Sequence, residues 1–170
     1  RILKKNRDLT RHIANPNPSD DHYRLFKTYV TNRHDDGQMA QMDQYDFTSM
    51  ISNSPIETVL ISYNDAENNL VGAILSDLQS DGLSAVYSFF EPGLTTRSLG
   101  TFMVLDLLDI ARESDLNWVY LGYFVEGSRK MEYKARFKPA EVFKDGQWQA
   151  VSSLRDETAA PRFKINRRSS

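Results

Sequence analysis

The feature that most restricts this chain is a string of three strand-like runs, divided by short turns and followed by one long helix. The runs are Thr58 to Tyr63, Leu70 to Leu78 and Leu83 to Phe90. Between them stand Asn64-Asp65-Ala66-Glu67-Asn68-Asn69 and Ser80-Asp81-Gly82, residues that tolerate tight backbone angles. Links that short imply antiparallel pairing. A helix predicted over Arg97 to Ser114 then separates Leu83–Phe90 from a buried strand at Asn117 to Phe124, and such a crossover lets those two strands run parallel. The helix is apolar on two sides, with Leu99, Met103, Leu107 and Ile110 on one and Phe102, Leu105 and Leu108 on the other. Its polar stripe is Asp106, Asp109 and Glu113.

Upstream, Asn15-Pro16-Asn17-Pro18 breaks the chain, because each proline fixes its own φ and disfavours helix in the residue before it. Ser19 then predicts a helix N-cap, with Asp20 and Asp21 placed to favour the dipole. Tyr23, Leu25, Phe26, Tyr29 and Val30 supply the apolar spacing, and Asp36-Gly37 the stop. A second short helix is predicted over Asp43 to Ile51, ended by Ser54-Pro55. Downstream come a short helix over Lys130 to Phe137, stopped by Pro139, a last strand over Gln147 to Val151, and a tail from Arg155 expected to be mobile. The expected organisation is a linker or remnant of a missing N-terminal domain over 1–18, one domain over 19–152, and the tail over 153–170. Arg1, where a Met would open a complete chain, fits either a trimmed end or a preceding domain that is absent. This order of elements resembles the N-acetyltransferase-like (GNAT) arrangement, and an α+β fold with a mixed sheet flanked by helices is expected.

Composition removes several function classes. With 21 basic and 23 acidic residues the net charge is −2, so any nucleic-acid contact must come from local basic patches. There are no cysteines, which excludes a disulfide scaffold, a thiolate metal site and a cysteine nucleophile. His12, His22 and His34 leave little for a histidine metal centre, and neither metal nor cofactor is expected. No apolar run reaches the roughly 18–20 residues of a membrane span and no signal peptide opens the chain, so a soluble, cytoplasmic protein is expected.

Two segments carry candidate chemistry. In GNAT folds the acyl-CoA pyrophosphate rests on a helix N-terminus whose loop follows an Arg/Gln-x-x-Gly-x-Gly/Ala pattern, since N–H groups and the dipole hold an anion and small residues let it approach. Here Arg97-Ser98-Leu99-Gly100-Thr101-Phe102 keeps the arginine and the first glycine but ends in Phe102, which is expected to crowd a pyrophosphate. The same segment also fits a plain helix start with a basic residue. The second segment places Arg129, Lys130, Lys134, Arg136 and Lys138 around Tyr133 and Phe137. Cations that answer phosphates and rings that stack bases suit a single-stranded nucleic-acid end; a solvated helix face has the same composition.

Taken together, Ser80-Asp81-Gly82-Leu83-Ser84-Ala85-Val86-Tyr87-Ser88-Phe89-Phe90-Glu91-Pro92, the Arg97-Ser98-Leu99-Gly100-Thr101 helix start, and Tyr120-Leu121-Gly122-Tyr123 leading into Gly127-Ser128-Arg129-Lys130-Met131-x-Tyr133-Lys134 resemble the C-terminal domain of the arginyl-tRNA–protein transferases. The resemblance runs from about Asp20 to Val151 and is nearer to the bacterial branch, the aspartate/glutamate leucyltransferases. It implies a GNAT-like fold that uses aminoacyl-tRNA in place of acyl-CoA. It implies leucyl-tRNA as donor and proteins with N-terminal Asp or Glu as acceptors, which the added leucine marks for degradation. Two departures stand out. The family usually carries an N-terminal domain with paired cysteines, absent here, and Ser128 stands where some relatives have cysteine. Arginine transfer, acetyl-CoA-dependent transfer and a noncatalytic RNA- or peptide-binding module remain as alternatives.

The reaction implied is attack of an α-amine on an ester. With a reference pKa of about 8 the amine is partly neutral at physiological pH, so the site must orient amine and ester, stabilise an oxyanion and protonate the ribose leaving group. Tyr87, Tyr120, Tyr123 and Tyr133 are candidate donors, Tyr123 also for substrate binding, and Glu91 a candidate acceptor of the amine proton. Arg97, Ser98 and Gly100, with Arg129 and Lys130, are candidates for binding the acceptor carboxylate or phosphates. Lys134, Arg136 and Lys138 are candidates for tRNA. In GNAT folds the two parallel strands part at the acyl site, which would put Tyr87 and Tyr120 near its walls.

Overall fold

The computed structural model describes residues 1–33, 37–125, 128, 131–144, 146–151 and 162–167. The elements are α1 (Ile2–Lys5), β1 (Thr10–Ala14), α2 (Asp20–Arg33), α3 (Gln44–Ser52), β2 (Thr58–Asn64), β3 (Leu70–Leu78), β4 (Gly82–Phe90), α4 (Leu99–Glu113), β5 (Trp118–Phe124), β6 (Ala140–Lys144), β7 (Gln147–Ala150) and β8 (Arg162–Arg167), with short 3₁₀ turns at Gln38–Gln41, Thr95–Arg97 and Glu132–Arg136. The chain divides into two compact units. One holds Arg1–Leu78 and Tyr87–Asp106, the other Gln79–Val86 and Leu107–Ser170.

In the first unit β1, β2 and β3 form an antiparallel meander, with Ile13 opposite Ile61 and Ile61 opposite Ile74. β2 and β3 are covered on both faces and read as continuous apolar runs instead of alternating ones, whereas the edge strand β1 is exposed along most of its length. One face, carrying Leu60, Ala73 and Leu75, packs with Phe26 and Val30 of α2, Phe47 and Ile51 of α3, and Phe89 of β4. Phe26 stacks on Phe47 at 4.7 Å and meets Phe89 edge-on at 5.9 Å. The other face turns Tyr63 and Gly72 toward α4. Tyr63 lies 5.3 Å from Phe102, and a Cβ on Gly72 would sit 3.5 Å from Met103 Sδ. Tyr63 is buried, and its hydroxyl donates to Asp106 at 2.8 Å while Arg11 pairs with the other oxygen of that carboxylate at 3.2 Å. That arrangement neutralises a carboxylate that apolar surroundings would otherwise penalise.

Helix starts follow their sequence signals. Asp43 caps α3 by accepting the Asp46 N–H at 2.8 Å. At α2 the Ser19 N–H donates to His22 Nδ1 at 3.1 Å, so the His22 side chain closes the cap in the way a glutamate does in a capping box.

The second unit holds parallel ladders. β5 pairs with β8, β8 with β6, and β6 with β7 in an antiparallel hairpin. The start of β4 pairs in parallel with β5 from Gly82 opposite Trp118 to Ser84 opposite Tyr120. Gly82 is required there, because a Cβ would fall 2.4 Å from the Trp118 carbonyl oxygen.

Several expectations are corrected. The 1–18 segment, expected as a linker or remnant of a missing N-terminal domain, contains β1, paired with β2 along its length. Of the tail expected to be mobile, the described residues 162–167 form β8, hydrogen-bonded between β5 and β6, and the rest lies outside the described residues. β6 was not predicted at all. The long helix begins at Leu99, because Ser98 takes a left-handed φ of 54°, which an α-helix excludes. The helix predicted over Lys130–Phe137 is a 3₁₀ turn over Glu132–Arg136, with Lys130 itself outside the described residues.

Candidate active site

The start of α4, in the first unit, is gripped by the N-terminal segment. Lys5 Nζ donates to the Thr96 carbonyl at 2.8 Å, and Asn6 Nδ2 to the Arg97 carbonyl at 3.0 Å. Arg97 meets Asp8 through both terminal nitrogens, at 3.3 and 2.5 Å. That guanidinium, hydrogen-bonded in a fork, holds the Asp8 carboxyl below its ordinary range. Gly100 lies against Phe90, where a Cβ would come within 3.1 Å of the ring. Phe102 differs from its expected role. One turn beyond Leu99 it lies on the buried face of α4, 7 % exposed and edge-on to Tyr63, so it does not crowd the helix start. The first N–H groups of α4 have no intrahelical acceptor, but the arginine above them is committed to Asp8.

Tyr87 and Glu91 belong to the same unit. Tyr87 is half-buried, its ring edge-on to Phe26 at 6.1 Å. No hydrogen-bond partner meets its hydroxyl among the described residues. Burial, and then the neighbouring Tyr29, push its pKa up to about 12, while the charge of Arg33 pulls it back. A phenol in this condition is a proton donor at neutral pH, not a phenolate. Glu91 folds back on its own turn, accepting the Gly93 N–H at 3.1 Å, while its backbone N–H bonds the Val71 carbonyl at 2.9 Å. Arg33 has no sequence motif to flag it. It closes α2 four residues after Tyr29, donates to the Tyr29 hydroxyl at 2.7 Å, and lies over the Tyr29 and Phe90 rings at 5.5 and 5.7 Å.

The second unit holds the other described candidates. Tyr120 donates its hydroxyl to Asp81 at 2.7 Å, and its ring meets Trp148 of the β6–β7 hairpin at 6.2 Å. Burial, then the hydrogen bond to Asp81, raise its pKa. Beyond it β5 bulges. The pairing register with β8 shifts between Tyr120 and Tyr123, and Gly122 takes a φ of +73°, a conformation open to glycine at little steric cost. Lys134 Nζ braces this bulge by donating to the Tyr123 carbonyl at 2.7 Å, and partial burial lowers its pKa. The Tyr123 side chain is exposed, as are Tyr133, Arg136 and Lys138. Tyr133 packs edge-on to Phe137 at 6.2 Å. Arg129 and Lys130 lie outside the described residues.

The residues 21–144 match the family model described as "Arginine-tRNA-protein transferase, C terminus". The chain belongs to this family. Among curated proteins it is 46% identical over 164 residues to the aspartate/glutamate leucyltransferase of Cereibacter sphaeroides, which covers 94% of this chain and 59% of that protein. It is 48% identical over 148 residues to the enzyme of that name from Paramagnetospirillum magneticum, covering 87% of this chain and 61% of the relative. The chain thus spans about three fifths of the length of these relatives. Solved structures fix the fold. An aminoglycoside acetyltransferase from an uncultured soil metagenomic sample shares it with a TM-score of 0.52 at 10% identity, over 75% of this chain and 86% of that one. The PaiA N-acetyltransferase from Thermoplasma acidophilum, solved with coenzyme A, does so with a TM-score of 0.50 at 12% identity, over 80% of this chain and 92% of that one. The family member described here therefore has the GNAT-like α+β fold expected from its element order.

The residues that sequence reasoning missed, Lys5, Asn6, Asp8, Asp81 and Arg33, differ in how visible they were. Asp8 and Arg97 are far apart in the chain, and nothing local joins them. Tyr29 and Arg33 stand four apart on one helix, a spacing that puts side chains side by side. Among the described residues no helix is long and apolar enough to cross a membrane.

Proposed function

We propose that this protein moves leucine from leucyl-tRNA to the α-amine of cytoplasmic proteins that begin with Asp or Glu, marking them for degradation. The observation that carries this reading is the 46% identity, over nearly the whole chain, to relatives named for that transfer. In this reading residues 19–152 carry the reaction. The Tyr87 hydroxyl, which has no partner among the described residues, donates to the developing oxyanion or to the ribose oxygen that leaves. Glu91, at the end of the same strand, receives the amine proton; one of its oxygens already holds the Gly93 N–H. Tyr120, in the second unit, keeps its proton engaged with Asp81 and is not assigned the proton transfer. Arg136 and Lys138, both exposed, meet tRNA phosphate, whereas Lys134 serves mainly as a brace for β5.

The family description names arginine, which makes arginyl-tRNA the second donor to consider. An acetyl-CoA donor also needs a direct trial, because buried Phe102 does not stand in its way. The deciding experiment offers the protein labelled leucyl-tRNA, arginyl-tRNA or acetyl-CoA with a peptide that begins with Asp. Label should reach the peptide from leucyl-tRNA. Transfer from arginyl-tRNA or acetyl-CoA with none from leucyl-tRNA would overturn the reading.

A further inference from the structure

Arg33 combines three properties rarely found together at a surface. It is exposed, yet held in place: its guanidinium lies over the Tyr29 and Phe90 rings at 5.5 and 5.7 Å, and one nitrogen donates to the Tyr29 hydroxyl at 2.7 Å. Those two rings are themselves packed at 4.9 Å, so the platform beneath the cation is rigid. Its charge is also unclaimed, since among the described residues no carboxylate pairs with it. Arg97, Arg11 and Arg112 each face an aspartate. Tyr87 packs on the same aromatic cluster as Tyr29 and Phe90, with no partner for its hydroxyl among the described residues.

From this the geometry points to a carboxylate-binding subsite made by Arg33 and Tyr29, which reads the acidic side chain of the acceptor's first residue. The inference rests on the proposed function for the acceptor class, and it adds where the acid is recognised. A stacked guanidinium offers its edge, and a planar carboxylate matches that edge with two parallel hydrogen bonds. One cation among phenols suits a single carboxylate, whereas a nucleic-acid backbone is met by several cations along a track. The arrangement also rejects neutral look-alikes. An Asn or Gln amide can match only one of those two bonds with its carbonyl, and turns its NH2 donors toward a guanidinium that has only donors to offer. Because an acceptor's α-amine is only a few bonds from its side-chain carboxyl, binding here delivers the amine to the neighbourhood of Tyr87, the donor proposed above. Arg33 and Tyr29 are thus assigned to acceptor specificity, and the Tyr87 hydroxyl keeps its single proton for the reaction.

The test is calorimetric binding of two peptides that differ only in beginning with Asp or Asn, using the full chain and its Arg33→Met, Arg33→Lys and Tyr87→Phe variants. Thermal melting confirms that each folds. The parent should prefer the Asp peptide by about 10- to 100-fold, the range expected for hydrogen bonds to a charged group. Arg33→Met should erase that preference, Arg33→Lys should keep only part of it, and Tyr87→Phe should keep the preference while slowing leucine transfer. A parent without preference, or an Arg33→Met variant that retains it, overturns the subsite. So does a loss of tRNA affinity in Arg33→Met with peptide preference intact, which would make Arg33 a phosphate contact. The leucine-transfer assay is run on the same proteins. If transfer fails while the Arg33-dependent preference holds, the proposed function falls and the subsite stands; if transfer occurs equally with and without Arg33, the reverse is true.

Discussion

Two arginines in the same unit show how far a motif is from an available side chain. Arg97 occupies the motif position at the start of a helix, where pattern matching looks for an anion partner. Its guanidinium is already paired with Asp8 through two hydrogen bonds. Arg33 occupies no motif and ends a helix, yet it is stacked on two rings and unclaimed by any described carboxylate. The helices differ in the same way. α2 is started by its own residues, with His22 returning to the Ser19 N–H, whereas the turn before α4 is held by Lys5, Asn6 and Asp8 from the far end of the chain. A charged group that a distant segment has satisfied is architecture. One that the fold has positioned and left open is where a ligand can gain energy.

The contrast breaks first, and with the largest effect, at Phe102. If the start of α4 is architecture, Phe102→Ala removes a buried ring from against Tyr63 and leaves a cavity. The expected cost is about 3–5 kcal/mol of stability, read by denaturant unfolding. If Phe102 instead guards an acyl-CoA site, the variant keeps its stability and gains acetyl-CoA binding, and the architectural reading of this helix start is lost.

What was legible in the sequence follows from where the burial lies. β2, β3 and β4 were found within about a residue of their ends, because a sheet covered on both faces writes unbroken apolar runs such as Val71 to Leu75. α3 was found because Asp43 caps it. β1 was missed because it is an edge strand exposed along most of its length, and Thr10-Arg11-His12-Ile13-Ala14 carries no apolar signal. β6 was hidden by the stop signal at Pro139, which ends a turn and immediately precedes a strand. At the candidate site the residue types were readable and their partners were not. Tyr87 and Tyr120 look alike in sequence, yet one hydroxyl has no described partner and the other is spent on Asp81, 39 positions away. A pattern of residue types cannot tell these apart, since hydrogen-bond satisfaction is settled by tertiary contacts.

The next effect is smaller and tests Arg97 directly. Both partners of the Asp8–Arg97 pair are partly exposed, at 26% for Arg97 and 39% for Asp8. Solvent screening therefore limits the pair to no more than about 1 kcal/mol. In a double-mutant cycle Asp8→Asn and Arg97→Ala should each cost about that much, and the combined variant little more than either. Additive losses would show that the two side chains act independently and would release Arg97 for a ligand. The pH dependence has a definite sign. The folded state holds the Asp8 pKa below its ordinary 3.8, so the pair's contribution is complete above that pH and is lost as pH falls through the lowered value. Arg97→Ala should flatten the acid limb of the stability curve.

The smallest effect sharpens the other half of the comparison, the self-made start of α2. His22 Nδ1 accepts the Ser19 N–H at 3.1 Å and lies 2.8 Å from the Ser19 hydroxyl, while Nε2 lies 2.8 Å from the Ser62 hydroxyl on β2. Accepting a backbone N–H requires an unprotonated Nδ1, so Nε2 carries the proton and donates to Ser62; the arrangement is a cap and not a base poised to activate a serine. Burial lowers the His22 pKa from its ordinary 6.5, opposed by the charge of Asp21. A histidine that is easier to protonate unfolded than folded draws the equilibrium toward the unfolded chain as acid is added. Its contribution is therefore complete above pH 6.5 and erodes as pH falls from there through the lowered folded value. Melting temperature measured from pH 8 to pH 5 should fall on the acid side, and His22→Gln, which keeps an acceptor for the Ser19 N–H without a titrating group, should remove that slope. A slope that persists in His22→Gln would place the titration elsewhere and leave the start of α2 insensitive to pH, as the start of α4 is expected to be until the carboxylate range is reached.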